Sequence, residues 1–165
     1  MDLKLTTRTQ EAMSAAVRRS ATDGHPQVEP AHLLSALLEQ SDGVAPALLA
    51  AVGADVAAVK SAADRALAAL PSASGSSVST PGLGRGAYQA LSAAGDVARD
   101  LGDDYVSTEH LLIGLAPAKG AGESGAGAVS GMLAGAGATR EALLAALPGV
   151  RGNGRVTSPD PEGTY

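Results

Sequence analysis

The sequence predicts an all-α fold of eight helices, arranged as two four-helix repeats related by a pseudo-twofold axis. Three observations predict it. Apolar residues recur at helical spacing between glycine and proline breaks. The 165 residues are rich in Ala and Gly, with no Phe, no Trp and 3 Tyr, which suits closely packed helices better than a sheet of β-branched and aromatic side chains. Finally, HLLSALL at 32–38 returns as HLLIGLA at 110–116, 78 positions on (110 − 32).

The first helix is expected over residues 6–22, where Ala12, Met13, Ala16, Val17 and Ala21 fall on one stripe. Thr7 with Gln10 offers a capping box, and Thr6 competes as the N-cap one residue earlier. Gly24 ends that helix, and Pro30 begins the next, because its fixed φ suits a first helical position. Leu33, Leu34, Leu37 and Leu38 face its neighbours, and Gly43 closes it. A short helix over 44–52 stops at Gly53. Asp55 caps a longer one, in which Val56, Val59, Ala63, Ala66, Leu67 and Leu70 point inward.

The same order then repeats. At an offset of 78, Ala12 aligns with Ala90, Met13 with Leu91, Ala16 with Ala94, Gly24 with Gly102 and Val28 with Val106, without a gap. Further on the offset becomes 84 (137 − 53), where LLAAVGAD (48–55) matches MLAGAGAT (132–139). The extra six residues fall in the Gly-rich stretch 118–127. A long period used only twice implies a pseudo-twofold domain and not a solenoid. The expected organisation is repeat one over 1–70, a linker over 71–82, repeat two over 83–148, and a flexible linker from 149 to 165.

Composition excludes several function classes. Net charge is −5, and Arg8, Arg18, Arg19, Arg99 and Arg140 are dispersed among acids, so a nucleic-acid footprint is missing. No apolar run approaches the ~20 residues of a membrane span, and MDLKLTTRTQ has neither a long apolar stretch nor a cleavage site. With 0 Cys, disulfides, thiolate metal sites and cysteine nucleophiles are absent. A cytoplasmic location is expected. Gly120, Gly122 and Gly125 spell a formal G-x-G-x-x-G, but no strand precedes it, so it reads as a helix connection. No G-x-x-x-x-G-K-[ST] occurs.

His32 and His110 invite a catalytic or metal role, yet HExxH and His-x-x-x-His are absent and no G-x-S-x-G supplies a nucleophile. A small hydrolase pairing either histidine with a linker serine has nothing else in its favour. The reading preferred is that each imidazole sits in the first turn of its helix, bonded to a backbone group, and recurs because the whole unit recurs. His25, before Pro26, has no partner legible from sequence.

The doubled pattern of a helix, a Gly-ended turn and [EST]-x-x-H-L-L resembles the Clp N-terminal domain family. LTTRTQEAM (5–13), VEPAHLLSALLEQ (28–40) and VTSPDPEGTY (156–165) resemble its protein-disaggregase branch more than its protease-unfoldase branch, whose N-domains dock adaptors. The resemblance implies a domain, not itself an enzyme and without its own cofactor, that binds unfolded or aggregated clients in the stress response. It also implies a longer parent: an AAA+ homohexamer using ATP and Mg and working with the DnaK system, from which this monomeric piece is cut before the nucleotide-binding ring. It further implies client-binding positions at Thr6, Asp103 and Glu109, and an apolar groove at Leu91 and Val97 with Tyr105 and Leu111 at its edge. His110 is a polar departure within that groove.

Overall fold

The computed structural model describes residues 3–72, 81–117, 127–152, 156–159 and 161. Repeat one contains α1 (Thr7–Thr22), α2 (Pro30–Glu39), α3 (Val44–Ala51) and α4 (Val56–Ala68). Repeat two contains α5 (Arg85–Asp100), α6 (Thr108–Leu115), α7 (Gly127–Gly135) and α8 (Arg140–Arg151). The bounds of α1 and α5 differ by 78 at both ends, so the sequence offset is a structural one. The Gly-rich 118–126 and most of the first linker, 73–80, lie outside the described residues.

The doubled His-Leu-Leu explains itself here. It belongs to α2 and α6, whose residues Pro30 to Leu38 and Thr108 to Leu115 are all buried. Helices buried on every face lie in the centre of a fold, and the other helices are arranged about this pair. Leu33, Leu34, Leu37, Leu111, Leu112, Ile113 and Leu115 are each 0% exposed and form the middle of one continuous core.

Two short backbone pairings link the repeats. Strand β1 (Gln27–Val28), before α2, pairs in parallel with β2 (Gly82–Leu83), before α5. In the other direction Leu5 bridges Val106, with Thr6 N–H donating to the Val106 carbonyl at 3.1 Å and Val106 N–H to the Lys4 carbonyl at 2.7 Å. Leu5 and Leu83 are 78 apart, as are Val28 and Val106. Each repeat therefore sends its lead segment to the other repeat's inter-helix turn, which ties the halves reciprocally.

Local chemistry sets the helix ends. Of the two threonines competing to cap α1, Thr6 does so: its Oγ1 accepts from Thr9 N–H at 3.2 Å. Asp55 caps α4 through Ala58 N–H, also at 3.2 Å. Gly24 and Gly102 turn the chain after α1 and α5 with φ of 72° and 74°, which an L side chain adopts only at a cost.

The structure departs from expectation in three places. Ala21 is exposed, and the buried line of α1 runs Thr9, Ala12, Ala16, Ser20, with Ser20 Oγ satisfied by the Val17 carbonyl at 3.1 Å. Gly43 caps the start of α3 instead of closing α2, which stops at Glu39. Helix α8 does not stop at residue 148: it runs through Pro148 to Arg151. No helix among the described residues is long and apolar enough to cross a membrane.

Candidate functional site

Where α5 turns into α6, the backbone aims several polar side chains inward. Ser107 caps α6 in a reciprocal box with His110, whose backbone N–H reaches the Ser107 side chain. In return Ser107 N–H donates to His110 Nδ1 at 2.9 Å. Because Nδ1 accepts from a backbone donor, the ring hydrogen sits on Nε2, which meets Asp103 Oδ2 at 2.7 Å. Arg151, from the last turn of α8, lies 2.9 Å from Asp103 Oδ2 and 3.0 Å from Glu109 Oε2. The other Asp103 oxygen accepts from Val156 N–H at 2.9 Å. Burial pushes the Asp103 carboxyl up, but the bonds from His110, Val156 and Arg151, with the Arg151 charge, outweigh it and hold it below the usual carboxylate range.

Repeat one builds the same cap with different partners. Glu29 N–H donates to His32 Nδ1 at 2.8 Å, and His32 Nε2 meets His25 Nδ1 at 2.8 Å. The two buried rings are 4.9 Å apart and tilted by 59°. Burial first, then the nearby His25 and Arg19, lowers the His32 pKa to about 4. His25 thus has its partner. Both imidazoles are bonded to the backbone at their helix starts, as the sequence suggests.

Ser107, His110 and Asp103 line up in an order that invites comparison with a hydrolytic triad. The arrangement cannot act as one. Ser107 and His110 are 0% exposed, so no substrate carbonyl reaches Oγ. The histidine nitrogen facing Ser107 Oγ, at 3.0 Å, is the one already occupied by the Ser107 N–H.

The implied binding positions separate into two groups. Thr6, Asp103, Glu109 and Leu111 are buried, and Leu91 is only 9% exposed. Val97 and Tyr105 are half-buried, with Lys4 Nζ 6.0 Å from the centre of the Tyr105 ring. Leu91 and Val97 are six residues apart, so they lie on adjacent faces of α5 and not in one row. Leu3 packs onto α5 at Gly95, one turn from Leu91, where any Cβ would meet the Leu3 side chain at 2.8 Å.

Symmetry supplies what single positions do not. Between α1 and α2 lies a depression of about 520 Å³ lined in part by Ala15, Arg18, Arg19, Asp23, His32 and Glu39. Its floor is polar: Arg19 Nη1 donates to Ser35 Oγ at 2.9 Å and to Asp64 Oδ1 at 3.3 Å. At the equivalent positions of repeat two, Arg19 is replaced by Val97, Asp23 by Leu101 and Ser35 by Ile113, each 78 residues on. Val97 and Leu101 are half-buried and Ile113 is beneath. Leu101 and Ile113 are absent from the sequence-based selection, although the offset pairs them with depression-lining residues. Arg151 and Val156 are absent too, and no periodicity marks them.

The family model described as "Clp repeat (R) N-terminal domain" matches residues 4–126. The chaperone protein ClpB of Mycobacterium tuberculosis is 46% identical over 160 residues, which is 97% of this chain and 18% of the relative. The ClpB of Corynebacterium glutamicum is 45% identical over the same shares. The chain therefore spans about 18% of the length of these curated relatives. Among solved structures, the N-terminal domain of Hsp104 from Candida albicans superimposes with a TM-score of 0.77 at 17% identity, covering 96% of this chain and 99% of that one. The N-terminal domain of ClpD from Arabidopsis thaliana, a chaperone described as caseinolytic protease associated, gives 0.56 at 20% identity, covering 87% of this chain and 94% of that one.

Proposed function

Since the chain belongs to the Clp N-terminal repeat family, we propose that it is the client-recognition domain of a ClpB-type disaggregase, binding unfolded or aggregated polypeptide. The observation that carries this reading is the exchange of Arg19, Asp23 and Ser35, which line the α1–α2 depression, for Val97, Leu101 and Ile113 at the equivalent positions of repeat two. An apolar furrow takes an unfolded segment by its side chains, without requiring a particular sequence. In this reading Val97, Leu101 and Tyr105 meet the client, and Leu91 and Leu111 form the floor. Thr6, Asp103 and Glu109 hold the frame from inside, since a client cannot reach them while they are buried.

In this reading the furrow is shallow, because α5 and α6 are in close contact: a Cβ at Gly114 would strike the backbone of Ala90 and Ala94. Little apolar area is buried by a bound segment, and the client's ordering cost is set against it, so one domain binds weakly. Several tethered copies on a hexamer would raise avidity without new contacts. ATP and Mg, the AAA+ ring and the DnaK system belong to the proposed parent.

Chemical-shift mapping with reduced, carboxymethylated α-lactalbumin tests the reading. Perturbations are expected at Val97, Leu101 and Tyr105 and not at Arg19, and Val97→Asp is expected to weaken binding ~10-fold through loss of apolar contact. No perturbation of the α5–α6 furrow at millimolar client removes the proposal. Preferential capture of a folded adaptor, with unfolded client ignored, points instead to the docking role of a ClpA- or ClpC-type unfoldase.

A further inference from the structure

Beyond α8, residues 156–159 lie against the α5–α6 turn and the start of α1. Val156 is 0% exposed, its N–H donates to Asp103 Oδ1 at 2.9 Å, and its carbonyl accepts from Asp104 N–H at 2.7 Å. Three residues on, the Pro159 carbonyl accepts from Thr7 N–H at 2.7 Å, and Pro161 is buried. The strap thus runs from the α5–α6 turn to the first residue of α1.

Each contact on the seat answers a prior need of the fold. Thr7 N–H belongs to the first turn of α1, where backbone donors have no partner inside the helix. Asp103 offers Oδ1 because His110 and Arg151 both engage Oδ2. Glu109 acts at one remove, holding Arg151 at 3.0 Å and with it the end of α8 from which the strap departs. The seat is stiff and buried, and the strap is slight. Between its two buried residues, Thr157, Ser158 and Pro159 are exposed. The strap bends at Ser158 and Pro159, and Pro159 restricts its own φ and the conformation of Ser158 before it.

We propose that this corner is a docking seat for the chain's own segment of residues 156–159 and Pro161, and that the segment is a releasable latch. When docked, the latch holds Pro159 beside the start of α1. When open, it uncovers Thr7 N–H, Asp104 N–H and one oxygen of Asp103. A short segment at the surface, with Thr157, Ser158 and Pro159 exposed, opens locally without unfolding the helices beneath. Asp103, Glu109 and Arg151 are then positioning residues for the latch, whether or not a client binds the α5–α6 furrow.

Amide hydrogen exchange on the full 165-residue chain tests this. In the parent, Val156 N–H is expected to be protected, but to exchange faster than the amides of α2 and α6. Thr7→Pro deletes the donor to Pro159 while placing proline at a first helical position, after a Thr6 whose φ of −65° and ψ of 163° suit it. It should speed Val156 exchange ~10-fold, the worth of one hydrogen bond, and leave α2 and α6 unchanged. Asp103→Ala should do so more strongly, and Thr7→Pro keeps the test valid if that variant fails to fold. A Val156 amide exchanging at the unprotected rate in the parent, or one whose protection is unmoved in Thr7→Pro, overturns the proposal.

Discussion

His25 and Asp103 occupy the same position in the two repeats, 78 residues apart (103 − 25), and each meets the Nε2 of the histidine seven residues on, at 2.8 and 2.7 Å. The third partner changes in step. Arg151 holds Asp103, and its counterpart at the later offset of 84 is Leu67, which is 2% exposed. One repeat closes its cap with a charged cluster and the other with two imidazoles, with an aliphatic side chain at the position equivalent to Arg151. A buried carboxylate needs a countercharge and a neutral imidazole does not, so the two substitutions belong together.

The imidazole version makes stability depend on pH. His32 titrates at about 4 in the fold against an ordinary 6.5, so between these values the unfolded chain takes up a proton that the folded chain refuses. Its stabilising contribution is complete above pH 6.5 and is lost as pH falls towards 4, to a limit of about 3 kcal/mol. Asp103, with its lowered pKa, loses its contribution only on acidification below the ordinary carboxylate value of 3.8. Urea denaturation should therefore show the parent about 2 kcal/mol less stable at pH 5 than at pH 7. His32→Gln should flatten that dependence. A parent whose midpoint does not move between the two pH values excludes the assignment.

Removing Arg151 tests the charged version. Arg151→Met leaves Asp103 and Glu109 buried without their shared cation, and should cost about 3 kcal/mol in equilibrium unfolding. The triple variant Asp103→Asn, Glu109→Gln, Arg151→Met removes all three charges and should recover more than half of that loss. A triple variant no more stable than Arg151→Met would mean that uncompensated charge is not the cause.

Two glycines separate close packing from mere composition. Gly114→Ala would drive a methyl into the backbone of Ala90 and Ala94 and force α6 away from α5, at about 2 kcal/mol. Gly131→Ala, in α7, meets nothing within 4 Å and should be neutral or stabilising by up to about 1 kcal/mol. Thermal melts of the two variants, run side by side, distinguish the cases, and equal effects would contradict the described α5–α6 contact.

The helices are legible in the sequence because their signals are local and doubled: the stripe of α1 recurs in α5, and the His-Leu-Leu of α2 in α6. What stays illegible depends on contacts remote in sequence. Arg151 meets residues 42 and 48 positions back (151 − 109 and 151 − 103), in a stretch whose glycines and prolines read as linker. Val156 reads as one apolar residue in a polar tail until Asp103 is placed beneath it. Ala21 and Ser20 trade places because the buried line of α1 tolerates a hydroxyl that its own helix can satisfy. Glu109 and Asp103 carry the chemistry of exposed binding residues, and only the fold shows them bonded inward.

The paired substitution between repeats gives the most direct test of the architecture. His25→Asp alone puts a carboxylate against His32 with Leu67 where repeat two has Arg151, and should cost about 3 kcal/mol through uncompensated buried charge. It should also raise the His32 pKa above its value of about 4, since an adjacent anion favours the imidazolium, and an NMR titration of the ring protons reads this directly. Adding Leu67→Arg supplies the cation that repeat two uses. The double variant should be at least about 1 kcal/mol more stable than the two single losses added together, a coupling that a double-mutant cycle isolates. Strictly additive losses would mean that the two repeats share a backbone but not the logic of their caps.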